Sequence, residues 1–135
     1  MRQATIQDVR RRAGYRCEYC HLPEDYGDFR HEIDHIVPKK HHGLTVRSNL
    51  ALCCGRCNLH KGTDLTGIDP DTTKVKRLFH PRRDRWQDHF RWSGLILSGL
   101  TPVGRTTIEV LRINDPDRIA TRRQILQERG PARDI

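Results

Sequence analysis

The first hydrophobic pattern along the chain is that of an amphipathic helix. Ile6, Val9 and Ala13 recur at helical spacing, and Gly14 follows as a typical helix end. Residues 5–8 (TIQD) have the spacing of a capping box, which predicts that the helix starts there. The pattern therefore predicts one short helix before the first cysteine.

Two strand-like segments and a short helix follow in the middle of the chain. Residues 30–38 (RHEIDHIVP) carry isoleucines among polar residues and end in proline, which predicts a strand. Residues 49–53 (NLALC) form a second apolar segment. Residues 54–62 (CGRCNLHKG) have the pattern of a tight turn that enters a short helix. The predicted order is strand, strand, helix.

Beyond a turn-rich stretch at residues 66–74 (TGIDPDTTK), the pattern changes to short apolar segments separated by loops. Thr101 and Asp115 are each followed by proline, which predicts the starts of two helices. We expect the first helix to run through about Asn114 and the second to end at Gly130. The apolar segments predict short strands at residues 75–79, 89–92 and 94–100.

Together these elements predict an α+β fold. At 135 residues the chain has the length of one domain, with room for an appendage. We therefore expect residues 1–65 and residues 66–135 to pack as one compact unit. Only 35% of the residues are hydrophobic, and a core that small benefits from an additional link such as a bound metal.

The cysteine spacing predicts that link. Cys17 and Cys20 form one C-x2-C pair, and Cys54 and Cys57 form a second pair after 33 intervening residues. Two such pairs in one short chain are typical of a structural zinc site with four thiolate ligands and no open coordination position. Cys53 does not fit this spacing, and we expect it to be a small buried residue.

The N-terminus and the hydropathy of the chain indicate its compartment. The first residues (MRQATIQDVRRR) contain no apolar signal segment, and no stretch approaches the roughly 18 apolar residues of a membrane span. We therefore expect a cytoplasmic protein with no membrane partner. Reducing conditions there favour metal binding by cysteines over disulfides.

The chain is strongly basic, since 25 Lys and Arg residues against 17 Asp and Glu residues give a formal net charge of +8. This charge favours a polyanionic partner, with nucleic acid as the first expectation. A solvated basic surface is the alternative. The charge carries no information about the fold.

One strand-like segment concentrates side chains that can transfer protons or bind metals. His31, Glu32, Asp34 and His35 lie within five residues of each other, in a segment that otherwise has the character of a buried strand. A harmless surface strand could carry the same residues. A functional interpretation therefore depends on the residues that surround this segment.

The segment HEIDHIVP, followed by NLALCCGRCNLHKG, resembles the HNH endonuclease family, the ββα-metal nucleases, in the subgroup braced by four zinc cysteines. The resemblance covers about residues 15–63, somewhat over a third of the chain. It implies a ββα-metal core braced by the four-cysteine zinc site, with a small C-terminal β/α appendage. It also implies two cofactors, a structural Zn²⁺ and a catalytic Mg²⁺ or Mn²⁺.

The family pattern implies roles for four residues. His35 corresponds to the general base that takes a proton from the attacking water, and Asp34 corresponds to the metal-binding acid beside it. Asn49 matches the central Asn, which supports the base and its loop. Asn58 stands in the place of the final His, so the motif is HNN, and Asn58 would be the second ligand of the catalytic cation.

The chemistry of phosphodiester hydrolysis suits these residue types. Two protein ligands, Asp34 and Asn58, leave coordination positions for water and phosphate oxygens, as Mg²⁺ prefers. With an ordinary pKa of about 6.5, His35 would be mostly neutral at a pH of about 7.5 and able to accept a proton. Because adjacent strand residues point to opposite faces, we also predict that the strand bends or ends at these residues.

Several further residues are possible substrate contacts. His31 shares a strand face with His35, although a packing role is equally compatible with that position. Residues 80–92 (HPRRDRWQDHFRW) fit phosphate binding and base stacking, or else a packed appendage with solvated arginines. The possible contacts are His31, Lys61, Arg82, Arg83, Arg85 and Trp86.

The sequence thus predicts a metal-dependent endonuclease that acts on nucleic acid, with double-stranded DNA as the expected substrate and nicking or double-strand cleavage as the result. Two alternatives stay open. One is a zinc-knuckle nucleic-acid-binding module without catalysis. The other is an RNase or toxin-type nuclease on the same scaffold.

Overall fold

Short helices alternate with antiparallel strand pairs in the computed structural model, which describes residues 1–131. Within these residues β1 pairs with β2, β3 with β4, and β5 with β6. This arrangement confirms the predicted α+β class. The elements are α1 (Gln3–Arg12), β1 (Glu32–His35), β2 (Leu50–Cys53), α2 (Gly55–Lys61), β3 (Thr66–Ile68), β4 (Val75–Arg77), α3 (Trp86–His89), β5 (Phe90–Ser93), β6 (Ile96–Gly99), α4 (Pro102–Leu111) and α5 (Pro116–Arg129).

The hairpin of β1 and β2, followed by α2, forms the ββα unit that the sequence predicts. In its register Ile33 lies opposite Leu52, and His35 lies opposite Leu50. All four residues of β2 are buried. Leu50 and Leu52 alternate along β2 and pack against Val9 of α1 on one face of the hairpin, because successive strand residues point to opposite faces. The N-terminal helix thus supports the sheet.

Helix α1 ends where the sequence predicts and starts earlier than predicted. Its last helical residue is Arg12, and Gly14 follows with a φ angle of +63°, a left-handed conformation that glycine adopts without strain. The predicted capping box at residues 5–8 is wrong, since Gln3 is already helical and Arg2 occupies the N-cap. Asp8 instead accepts a hydrogen bond from Arg47.

The second half of the chain contains the predicted helix starts. Thr101 caps α4, because its hydroxyl oxygen accepts a hydrogen bond from the Gly104 amide at 3.0 Å. Asp115 precedes α5 in the same sequence context, with Pro116 in the first turn. No helix within residues 1–131 is long and apolar enough to cross a membrane.

The stretch predicted as turn-rich, residues 66–74, is a turn only in part, because Thr66–Ile68 form β3. The turn that follows is held by Asp69, which is fully buried. Its carboxylate accepts two hydrogen bonds from Arg105 at 3.0 Å and one from the Thr72 hydroxyl at 2.8 Å. This contact fixes the β3–β4 hairpin against α4.

One hydrophobic core joins the two halves of the chain. The four cysteines of the C-x2-C pairs and Cys53 belong to the same buried cluster as Phe79, Phe90 and Ile113. The division of the chain into residues 1–65 and residues 66–135 stays a prediction. Residues 132–135 of the second part lie outside the described residues. The core itself places the four cysteines at the junction.

Replacing Gly104 with alanine is expected to destabilise the protein, because an added Cβ would lie 2.1 Å from the His89 carbonyl oxygen. Backbone cannot move aside as a flexible side chain does, so we expect a loss of about 1–3 kcal/mol in the free energy of unfolding. Urea denaturation measures this loss. Gly55→Ala is the matched control, since a Cβ at Gly55 meets nothing within 4 Å, and equal midpoints for the two variants would contradict the packing at Gly104.

Candidate active site and metal centre

The four predicted zinc ligands meet in space. The sulfur atoms of Cys17, Cys20, Cys54 and Cys57 all lie within 4.8 Å of one another, and all four residues are buried. The Cys20 and Cys54 sulfurs are 3.7 Å apart, close to the roughly 3.8 Å that a tetrahedral Zn²⁺ with Zn–S bonds of about 2.3 Å requires. The donor set therefore fits a closed, structural zinc site.

Each C-x2-C pair forms the same local turn. The Cys20 amide donates to the Cys17 sulfur at 3.5 Å, and the Cys57 amide donates to the Cys54 sulfur at 3.4 Å. Such N–H donors stabilise thiolates, which are the form that binds metal. Burial raises the pKa of the Cys17 and Cys57 thiols, so metal binding must displace their protons.

Arg118 on α5 supplies a positive charge to this cluster. Its guanidinium nitrogen Nη2 lies 2.9 Å from the Cys57 sulfur and 3.8 Å from the Cys54 sulfur, and Nη1 donates to the Leu111 carbonyl at 2.6 Å. A zinc ion with four thiolates carries a net negative charge, which this buried cation offsets. Sequence reasoning missed Arg118, because 61 residues separate it from Cys57.

The first knuckle also contacts the ββα unit directly. Tyr19, between Cys17 and Cys20, is fully buried and donates its hydroxyl hydrogen bond to Asp34 Oδ2 at 2.8 Å. Glu18 Oε2 accepts a hydrogen bond from the Leu52 amide at 2.8 Å. The residues between the two ligands thus connect the metal centre to both strands of the hairpin.

Asp34 is buried and is held by two buried partners, Tyr19 and Lys61. Only 5% of the residue is exposed, and Lys61 Nζ lies 3.2 Å from Oδ1, opposite the Tyr19 contact. Lys61 also donates to the carbonyls of Ile36 at 3.2 Å and His35 at 3.4 Å. Burial raises the pKa of Asp34, and the contacts with Lys61 and Tyr19 oppose that rise.

His35 occupies the last position of β1, which therefore ends at the point that the sequence predicts. Its ring is half-buried, and Nε2 lies 2.8 Å from the Thr45 hydroxyl oxygen. Burial lowers the pKa of His35 below its ordinary value of 6.5; Lys39 and Lys61 lower it further, and Asp34 opposes them. The ring is thus neutral over a wider pH range than a free histidine.

Asn49 closes the loop that carries the end of β1. Its side-chain oxygen accepts from the Val37 amide at 2.8 Å, and its side-chain nitrogen donates to the carbonyls of Val37 at 3.0 Å and Leu44 at 2.9 Å. Gly43 completes this turn, since a Cβ there would lie 1.6 Å from the Val37 carbonyl oxygen. The side chain of Asn49 acts on the loop and not on an open cleft.

Asn58 and Glu32 meet across the interface between α2 and β1. The Asn58 amide nitrogen donates to the Glu32 carboxylate. Because Asn58 and Lys61 lie one turn apart on α2, they face Glu32 and Asp34, which alternate on one face of β1. The interface therefore carries two carboxylates and an amide, with Glu32 at its exposed end.

The other predicted contact residues are mostly not at an open surface. His31 is buried, and its Nε2 lies 2.8 Å from the Leu22 carbonyl oxygen. Arg82 forms an ion pair with Glu18. Trp86 donates to the Tyr19 carbonyl at 3.0 Å and packs on His21. Lys61, as described, is buried beside Asp34, and the exposed members of the predicted set are Arg83 and Arg85.

Comparison with known proteins matches part of the chain to one family. Residues 17–64 match the profile of the HNH endonuclease family. The match identifies an HNH endonuclease domain at residues 17–64, a type of domain found in nucleases that hydrolyse phosphodiester bonds, and this segment contains the four cysteines placed to bind a metal ion. The resemblance predicted for about residues 15–63 is confirmed.

One curated relative extends over most of the chain. The chain is 29% identical over 113 residues to the Septu protein PtuB of Bacillus thuringiensis, and the aligned part covers 82% of this chain. It covers 41% of that protein, so the chain spans less than half the length of the curated relative that it matches. No solved structure matches the chain.

Replacing Cys54 with serine is expected to remove the metal and to lower the melting temperature by at least about 5 °C, because binding energy at a structural zinc site is folding energy. Metal analysis of the purified protein and thermal unfolding measure the two effects. Cys53→Ala is the matched control at the next residue, since Cys53 lies outside the four-sulfur cluster. Equal zinc content in both variants would exclude Cys54 as a ligand.

Proposed function

We propose that this chain is a metal-dependent endonuclease that hydrolyses phosphodiester bonds of DNA, with His35 as the general base. The observation that carries this proposal is the position of His35, half-exposed at the end of β1, next to Asp34 in the chain and close enough to Asp34 and Lys61 for both charges to shift its pKa. A base next to hard oxygen ligands is the arrangement that metal-assisted hydrolysis needs.

The donor set at that interface fits a catalytic Mg²⁺ or Mn²⁺. Asp34 and Asn58 offer carboxylate and amide oxygens, which are the ligands that these cations prefer. The hydrogen bond from Asn58 to Glu32 uses the amide nitrogen and leaves the amide oxygen as a ligand atom. When bound, the cation would stabilise negative charge on the phosphoryl group and on the leaving oxygen.

His35 would take the proton of the attacking water at Nδ1, because Thr45 holds Nε2. The lowered pKa keeps the ring neutral and ready to accept that proton. Lys61 fixes the backbone at the end of β1, because its ammonium donates a hydrogen bond to the His35 carbonyl oxygen. Asn49 fixes the loop that follows the strand, which restricts the movement of the backbone that carries the His35 ring.

The charge of the chain supports DNA as the substrate. Lys39 and Lys40 are exposed directly after β1, and Arg83 and Arg85 add exposed positive charge in the second half of the chain. Such residues bind phosphates without reading sequence. One catalytic site in each chain makes nicking the simpler outcome. None of the five cysteines, all within the described residues, is paired in a disulfide, which also fits a cytoplasmic setting.

We expect His35→Ala to lose plasmid cleavage by about 100-fold or more, since general-base catalysis contributes on the order of 10²–10⁴. The assay converts supercoiled plasmid to nicked or linear product in Mg²⁺ or Mn²⁺, with EDTA as the metal-free control. DNA binding and the melting temperature should stay near those of the wild type, because the ring's hydrogen bond among the described residues is to the exposed Thr45 hydroxyl.

Each contrary result has a definite meaning for the proposal. A parallel loss of binding and cleavage in His35→Ala would remove the base assignment. Binding of DNA without cleavage in either metal would favour a nucleic-acid-binding module. Cleavage of single-stranded RNA in preference to DNA would favour an RNase on the same scaffold.

The pH profile tests the environment of His35. Neutral imidazole accepts the proton, so cleavage should rise as pH passes through the pKa of His35, and the midpoint should lie below about 6.5. Lys39→Gln removes a charge that lowers this pKa, so the acid-side midpoint should move up by about 0.3 pH unit.

Lys40→Gln is the matched control for the pH profile, because Lys40 is the neighbouring exposed lysine and its charge does not contribute to the lowered pKa of His35. Each variant removes one exposed positive charge and is expected to weaken phosphate binding, so turnover is compared at saturating DNA. A midpoint that moves equally in both variants, or in neither, contradicts the assigned role of Lys39.

A further inference from the structure

Glu32 is the exposed acid of the interface between β1 and α2. Its carboxylate accepts the amide hydrogen bond of Asn58, and it lies two residues before Asp34 on the same strand face. The side chains of Glu32 and Asn58 thus form one edge of the site. Neither the HNN motif nor the predicted ligand set includes Glu32.

The charge balance at this interface leaves Asp34 largely neutralised. Lys61 Nζ lies 3.2 Å from Asp34 Oδ1, and both side chains are buried, with 2% of Lys61 and 5% of Asp34 exposed. A buried ammonium at that distance offsets the attraction that a carboxylate exerts on a cation. Tyr19 already donates to the second oxygen, Oδ2, at 2.8 Å.

A divalent cation at this place therefore needs a second source of negative charge. Across protein sites, cation affinity rises with the number of charged ligands. Among the described residues, Glu32 is the carboxylate that hydrogen-bonds to the Asn58 side chain. Its position at the exposed end of the interface leaves it accessible to a hydrated ion.

We propose that Glu32 is a ligand of the catalytic cation, together with Asp34 and Asn58, and that it supplies the uncompensated negative charge of the site. This inference rests on the proposed function. It changes the expected ligand set from one carboxylate and one amide to two carboxylates and one amide. Three oxygen ligands still leave coordination positions for water and a phosphate oxygen, as Mg²⁺ and Mn²⁺ require.

The experiment compares Glu32→Gln with wild type by measuring Mn²⁺ binding in the absence of nucleic acid. The protein is first loaded with zinc, so that the four cysteines are occupied, and Mn²⁺ is then titrated by calorimetry or by the paramagnetic signal of the free ion. Glutamine keeps the shape of Glu32 and an oxygen that accepts the Asn58 hydrogen bond. The substitution therefore removes charge and little else.

We expect Glu32→Gln to weaken Mn²⁺ binding by about 10-fold or more. The Mn²⁺ concentration for half-maximal cleavage should rise by a similar factor, with cleavage restored at high Mn²⁺. The melting temperature of the zinc-loaded protein without Mn²⁺ should not change, because Glu32 is exposed. Glu109→Gln, an exposed glutamate on α4, is the matched control and should bind Mn²⁺ as the wild type does.

Two results would overturn the inference. One is Mn²⁺ binding by Glu32→Gln that equals that of Glu109→Gln. The other is a wild type that binds no Mn²⁺ at all. A wild type that binds Mn²⁺ through Glu32 and yet cleaves no nucleic acid supports the cation site and defeats the proposed nuclease, so the two proposals fail separately.

Discussion

Four buried sulfur atoms within 4.8 Å of one another are the constraint on which the rest of the molecule depends. The first pair follows α1 and the second lies at the start of α2, with Cys54 as its N-cap, and the four cysteines belong to the same core as Phe79, Phe90 and Ile113. Only 35% of the chain is hydrophobic, so a domain of this size gains much from a metal link. Arg118 makes the link favourable by placing a cation against two of the sulfurs.

A second buried polar contact sets the position of the candidate base. Removing an ammonium and a carboxylate from water costs several kcal/mol each, and their attraction offsets this only when every other donor and acceptor is satisfied. Lys61 and Asp34 meet this condition through Tyr19 and two backbone carbonyls. Lys61 thus holds the backbone at the end of β1 through the carbonyls of His35 and Ile36, and His35 is the last residue of that strand.

Local signals in the sequence were enough to predict local structure. Contacts between residues distant in the sequence became known only from the folded structure. The C-x2-C spacing gave the metal cluster, and proline after Thr101 and Asp115 gave two helix starts, because those rules act within a few residues. No local pattern in the sequence indicates the partners of Lys61 and Trp86, because 27 residues separate Lys61 from Asp34 and 67 separate Trp86 from Tyr19. Both were predicted as substrate contacts, since their chemistry suits phosphate and bases, and the fold places Lys61 beside Asp34 and Trp86 against Tyr19.

The position of Tyr19 between the metal ligands Cys17 and Cys20 limits which substitutions this part of the sequence can accept. In a zinc knuckle that acts only as a brace, the residues between the cysteines are free to vary as long as the spacing is kept. Here metal binding constrains the spacing of the cysteines, and the 2.8 Å hydrogen bond to Asp34 constrains the identity of Tyr19. A phenylalanine at that position would keep the cysteine spacing and remove the hydrogen bond to Asp34, so Tyr19 and Asp34 are expected to change together or not at all.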